Sequence, residues 1–206
     1  MTAVVTGCSQ RPAKTTANDG IFGRNLITNG GAESDQAGWS NGDELKTIVY
    51  GDYGGGPARD SPGPANRGEK YFYARTTTDA PMAAFSQKIN VGTHAEPIDG
   101  GAVTCNFGGW FGIANGSMSA GRLVVTFLDK AGKELSTLAT KEITDETRPP
   151  DETLIERNAS GPVPAGTREI KIVLEFKLFP NRPEQQDGLA FADDLAMVLT
   201  TKAPQK

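Results

Sequence analysis

At 206 residues the chain is long enough for one sizeable hydrophobic core, and its 25 glycines, 13 prolines and 4 methionines favour short strands and tight turns over helices. A net charge of −4, with Lys and Arg scattered along the chain, offers no cationic footprint for a phosphate backbone, so nucleic acid is not an expected partner. No stretch approaches the roughly 20 consecutive apolar residues with which a helix crosses a bilayer.

Met1 to Ser9 holds a short apolar run, a small residue and then Cys8, similar to the end of a bacterial lipoprotein signal. The basic part and most of the apolar part of such a signal are missing, and Val5 stands where leucine is more usual. Either the signal is truncated or the match is chance. If Cys8 carries a lipid, Cys105 is a lone thiol buried in its strand; otherwise a Cys8 to Cys105 disulfide is open to an exported protein. Residues 1–20 are read as signal remnant and tether, 21–200 as one β domain, and 201–206 as a tail.

An apolar strand is expected from Asn25 to Thr28, followed by Asn29, the pair Gly30-Gly31, and the acid Glu33. Thr47 to Tyr50 is the next expected strand. The segment from Gly51 to Gly68 is rich in Gly, Pro and Asp, a long loop of the kind that carries function, with Asp52, Asp60 and Asn66 as oxygen donors. Strands follow at Lys70–Ala74, Ala83–Val91, Ala102–Phe107 and Gly108–Ile113. In the last of these Trp110 and Phe111 are neighbours of opposite facing, so one of them belongs to the core. Leu123–Leu128 and Glu134–Thr137 form a hairpin around Asp129 to Lys133, with Gly132 free to take a positive φ.

A second long loop is expected from Lys141 to Asn158. Arg168 to Leu178 then alternates cleanly, with Ile170, Ile172, Leu174, Phe176 and Leu178 on one face and Glu169, Lys171, Glu175 and Lys177 on the other. That pattern belongs to a half-exposed antiparallel sheet. The last strand, Gly188 to Leu199, sets the adjacent carboxylates Asp193 and Asp194 inside an apolar run, and a buried carboxylate requires a cation or hydrogen-bond donors. Eight or nine strands in all predict an all-β, antiparallel two-sheet β-sandwich.

The order of these segments resembles the galactose-binding-like jelly-roll family, the sandwich of many non-catalytic carbohydrate-binding modules of bacterial exported proteins. The resemblance is carried by Asn25 to Glu33 followed by Trp39, Ser61 to Ala74, Phe85 to Val91, Gly109 to Gly112, Val125 to Gly132, Gly161 to Arg168 and Phe191 to Leu195. It implies a jelly roll and a structural calcium near the chain ends. The ion would be held by Glu33 and Asp193 with oxygens from the loop before Tyr71, Asn66 among them, while Asp194 faces solvent. Six to eight hard oxygens drawn from distant segments would tie both ends of the sandwich together.

The resemblance further implies sugar binding through exposed aromatic rings, for which Tyr53, Trp110, Trp39 and Tyr50 are the candidates, with Phe111 beside Trp110. Each ring has a competing packing role. No catalytic residue is assigned. The single histidine, His94, lies in a loop, and the chain has neither a Gly-x-Ser-x-Gly elbow nor a His-Glu-x-x-His pair. The expected partner is a glycan, at the cell surface or in the periplasm, with membrane attachment through Cys8. A structural or adhesive envelope module that binds a surface protein is the alternative.

Overall fold

The structure, a computed structural model, describes residues 20–41, 44–114, 117, 119–143, 154–178 and 187–201. Cys8 and both predicted tails beyond residues 19 and 201 lie outside the described residues. Nine strands are present among those described: β1 (Lys46–Val49), β2 (Lys70–Thr77), β3 (Met82–Asn90), β4 (Val103–Ile113), β5 (Ser119–Leu128), β6 (Glu134–Ala139), β7 (Ile155–Pro162), β8 (Glu169–Leu178) and β9 (Asp187–Thr201). They form a five-stranded sheet in the order β1-β2-β9-β4-β7 and a four-stranded sheet in the order β3-β8-β5-β6, all pairs antiparallel. The chain is an all-β sandwich, as its alternating patterns predict.

The alternation in β8 sets its register. Ile170, Ile172, Leu174 and Phe176 are fully buried and meet Phe72, Phe85, Phe111 and Phe127 in the core between the sheets. On the outer face of the same sheet, Arg122 bonds Glu142 and Glu175 at 3.1 and 2.7 Å, and Lys177 reaches Glu142 at 3.1 Å. The β5–β6 hairpin forms as expected: the Asp129 carboxylate accepts the amides of Ala131 and Lys133 at 2.8 and 2.9 Å, and Gly132 takes φ +80°.

Three expectations need correction. The segments around Cys105 and Trp110 are a single strand, β4, in which Cys105 is a free, fully buried thiol that burial pushes up to about 12. Residues 155–158, assigned to a loop, open β7, whose exposed edge position leaves only a weak apolar alternation. Most importantly, Asn25 to Thr28 is not a strand. It meets β9 through an isolated bridge from Asn25 to Val198, and the chain then runs through successive turns to Gly38. Asn25 explains why. Its side chain donates to Leu195 O and accepts from Met197 N and Ile27 N, each at 3.0 Å, so it takes the place of ladder bonds.

A short helix, α1 (Ala95–Asp99), buries Ile98 in the core. Asp99 accepts both terminal nitrogens of Arg168, at 3.0 and 2.7 Å, and the Gly166 amide at 2.8 Å. The Arg168 bonds and then the Gly166 amide hold its carboxyl down at about 2, below an unfolded value near 3.9. A depressed folded pKa contributes stability above pH ~3.9 that is lost as pH falls through ~2. Asp99→Asn should therefore melt below the wild type near neutral pH, with the gap closing between pH ~4 and ~2. A gap that stays constant to pH ~2 would assign the loss to side-chain shape instead of charge.

Candidate functional site

The outer face of the five-stranded sheet carries the site, and a bulge in β9 organises it. Ala190 and Ala192 face the main core, yet the next core residues on this strand are Leu195, Met197 and Leu199, so the inward parity shifts by one. The shift coincides with an irregularity in the pairing of β9 with β4, where Trp110 pairs with Asp193 and Gly108 with Ala196. Asp194 absorbs the extra residue at φ +48°, a left-handed conformation that a short polar side chain tolerates. Asp194 is thereby turned to solvent, while Asp193 stays on the outer face with Phe191 and Leu189 and is fully buried.

A second apolar cluster covers this face, built from Tyr50, Tyr71, Ala114, Leu154 and Phe191, with Ile48, Tyr73, Trp110 and Leu189 packed against it. Tyr50 donates its hydroxyl to Asp193 Oδ2 at 2.5 Å, and the Asp194 amide donates to Oδ1 at 2.8 Å. Burial nevertheless pushes the Asp193 carboxyl up to about 7, with the charges of Asp194 and Glu33 adding to the rise against the two donors. Burial likewise raises the Tyr50 and Tyr71 hydroxyls.

Arg67 fixes the loop above this network. It donates to the carbonyls of Pro64, Ala58 and Ser61 at 3.1, 3.1 and 2.7 Å, and its guanidinium lies 5.2 Å from the centre of the Tyr50 ring. Sequence reading missed Arg67. The Gly/Pro-rich loop, with its two arginines Arg59 and Arg67, gave one signal: long loops with no strand of their own need a donor for their carbonyls.

The charge of Glu33 acts on Asp193, but Glu33 itself is held by a different part of the loop than expected. One oxygen of Glu33 accepts the amides of Glu69 and Lys70 at 2.8 and 2.9 Å, while Asn66 is exposed and its side chain makes no hydrogen bond among the described residues. No hydrogen bond ties the Asn66 side chain to either acid among the described residues; Glu33 is bonded by the backbone of residues 69 and 70. Lys70 salt-bridges Asp35 at 2.8 Å, leaving Asp193 with no cationic side chain bonded to it among the described residues. Glu33 and Asp193 carry hard carboxylate oxygens of the type a divalent cation takes. Among the described residues no third acid, His or Cys joins them, so further ligands would be neutral oxygens from the backbone, from side chains or from water.

Beside the network lies a cleft of about 670 Å³ lined by Ile48, Tyr53, Tyr73, Leu189 and Phe191, with Lys46, Arg75, Ser117 and Asp187 as its polar groups. Tyr53 is 40% exposed and packs edge-on against Phe191 at 6.3 Å.

Solved structures show the same architecture. The domain described as the enzymatically active domain of bacteriophage CBA120 tailspike protein 4 matches 85% of this chain at 16% identity with a TM-score of 0.54, and the match spans about a fifth (21%) of that chain. A family 16 carbohydrate-binding module matches 84% of this chain and 99% of its own at 16% identity and a TM-score of 0.50. The chain has a jelly-roll β-sandwich fold of the kind these modules share. No protein-family profile matches it, and neither does any curated protein sequence.

Within this jelly roll the predicted rings part company. Tyr53 stands at the cleft. Trp110 is half-buried on the same outer face, and its neighbour Phe111 is fully buried in the core. Trp39 is a core residue instead of a ligand contact: it is 6% exposed, stacks edge-on with Phe72 at 5.9 Å and donates to Asn29 O at 3.4 Å. Tyr50 is also removed from the contact candidates, because its 4% exposure and its bond to Asp193 commit it to the network. Tyr73, which lines the cleft, was not singled out from sequence, since its strand neighbours Tyr71 and Phe72 look the same in a linear reading.

Proposed function

We propose that this chain is a non-catalytic glycan-binding module whose ligand occupies the cleft on the five-stranded sheet. One observation carries the reading: the cleft joins the rings of Tyr53 and Tyr73 to the polar side chains of Lys46, Arg75, Ser117 and Asp187. Apolar ring faces suit the C–H faces of sugars, and a few placed donors and acceptors suit their hydroxyls. The family 16 carbohydrate-binding module supports the reading through its fold. His94 packs edge-on against Phe22 at 5.5 Å and is not among the cleft residues.

Glu33 and Asp193 would hold a structural calcium, supplying charge that offsets the cost of burying Asp193. The ion would act on stability, clamping the turns of the first segment to β9. Export with a lipid on Cys8 completes the proposal, and intact-mass measurement of the protein from membranes of its native host tests that part directly.

Affinity electrophoresis against a panel of soluble polysaccharides tests the function. At least one polysaccharide should retard the wild-type protein, and Tyr53→Ala should weaken that retardation roughly tenfold, about 1.4 kcal/mol. Absence of retardation across the panel would overturn the proposal in favour of a module that binds protein.

A further inference from the structure

The cleft carries an ion pair that the sandwich itself does not need. Arg75 on β2 and Asp187 at the start of β9 are bonded across adjacent strands, with side-chain exposures of 66% and 48%. A pair so open to water adds little to stability. Its backbone support, by contrast, is built from behind. Ser117 Oγ accepts the Leu189 amide at 2.7 Å, and the buried hydroxyls of Ser117, Ser119 and Thr76 are linked at 3.3 Å. Ser119 Oγ occupies the space that any side chain at position 188 would require, so Gly188 lets this hydroxyl chain close against β9. The end of β9 that bears Asp187 is fixed while its carboxylate stays at the cleft.

A guanidinium has five N–H donors and a carboxylate has about four acceptor sites. The hydrogen bond between Arg75 and Asp187 is the one that either side chain makes among the described residues, which leaves spare donors and spare acceptors next to each other. Neighbouring hydroxyls on a sugar ring present the matching pattern, one oxygen accepting and the next O–H donating. We infer that the Arg75–Asp187 pair recognises two adjacent hydroxyls of a neutral sugar, with Arg75 donating to one and Asp187 accepting from the other. This rests on the reading of the cleft as a glycan site and adds the class of glycan: uncharged, with a free vicinal diol. An acidic sugar held by these two contacts would bring its carboxylate against Asp187, and like charges in contact oppose binding, while Arg75 is already paired with Asp187 and Lys46 also has a partner.

The test is isothermal titration of the wild type, Arg75→Met, Asp187→Ala and the reciprocal exchange Arg75→Asp with Asp187→Arg. The titrants are xylan, β-glucan and galactomannan as neutral polysaccharides and polygalacturonate and alginate as acidic ones. At least one neutral polysaccharide should bind, and acidic ones at least tenfold more weakly. Each single variant should lose tenfold or more in affinity while keeping the wild-type melting temperature. The exchange restores an ion pair with its donor and acceptor reversed, so it should melt like the wild type without regaining affinity. Wild-type affinity in either single variant, recovery of binding by the exchange, or preference for acidic chains would overturn the inference. If Tyr53→Ala still weakens binding in that case, the glycan-binding proposal stands without it, whereas no binding of any polysaccharide by the wild type overturns both.

Discussion

Gly30→Ala is expected to destabilise the sandwich by about 3 kcal/mol, near the upper end of what forced overpacking costs. A Cβ on Gly30 would overlap the carbonyl oxygen of Leu195, a backbone atom that no rotamer change can move aside. That contact lies where the first segment is fastened to β9: Leu195 N donates to Gly30 O at 3.0 Å, and Asn25 Nδ2 donates to Leu195 O at 3.0 Å. Further along, Leu26 N donates to Met197 O at 2.8 Å and Gly23 N to Leu199 O at 2.9 Å. Separating residues 30 and 195 would loosen the row as a unit. Denaturant melts give the measurement. A loss below ~1 kcal/mol would mean that the turn from Thr28 to Gly38 can shift without cost, and that the clamp is weaker than its hydrogen bonds imply.

Calcium should raise the melting temperature by roughly 5–10 °C, and a chelator should reverse the rise. The size follows from linkage: an ion at a hundred times its dissociation constant contributes about 2.7 kcal/mol, and each kcal/mol moves a domain of this size by roughly 2–4 °C. Asp193→Ala should abolish the response, because it removes the buried carboxylate on which the site depends. Asn66→Ala should leave it intact, since Asn66 is exposed and apart from the acid pair's hydrogen bonds. A melting temperature that ignores both calcium and chelator would leave Glu33 as an acceptor for the amides of Glu69 and Lys70 and Asp193 as an acceptor for Tyr50. The two outcomes separate a metal clamp from a purely protein one.

Much of the fold could be read from the chain because its strands alternate. The positions of β8 face core and solvent by turns, and the Asp129 to Lys133 turn has the acid and glycine that such a loop requires. The reading failed where the backbone is held by side chains. Asn25 to Thr28 has the apolar content of a strand, but Asn25 spends its amide on β9 and turns the segment away from the ladder. Edge strand β7 escaped for the opposite reason, since exposure on one side leaves little hydrophobic pattern to read.

The candidate site was legible only in part. Asp193 could be singled out because an acid within an apolar strand is costly wherever it is buried. Which partner relieves that cost was decided in three dimensions: Tyr50 and the amide of Asp194 came to it, Glu33 settled on residues 69 and 70, and Asn66 stayed in water. The aromatic candidates divided in the same way. Trp39 and Tyr50 are buried while Tyr53 is open, although all three lie near glycines or strand ends in the sequence.

By itself the sequence determined the fold class, the alternating faces of the longer strands and the presence of a buried acid near the C-terminal end, because each depends on local periodicity and on the cost of desolvating charge. Only the tertiary structure decided the parity shift at Asp194, the cage that Arg67 builds around the loop, and the meeting of Arg75 with Asp187 beside Tyr53 and Tyr73. These join residues from separate strands and loops. Their contacts are set by sheet order and register, which periodicity within a strand does not encode.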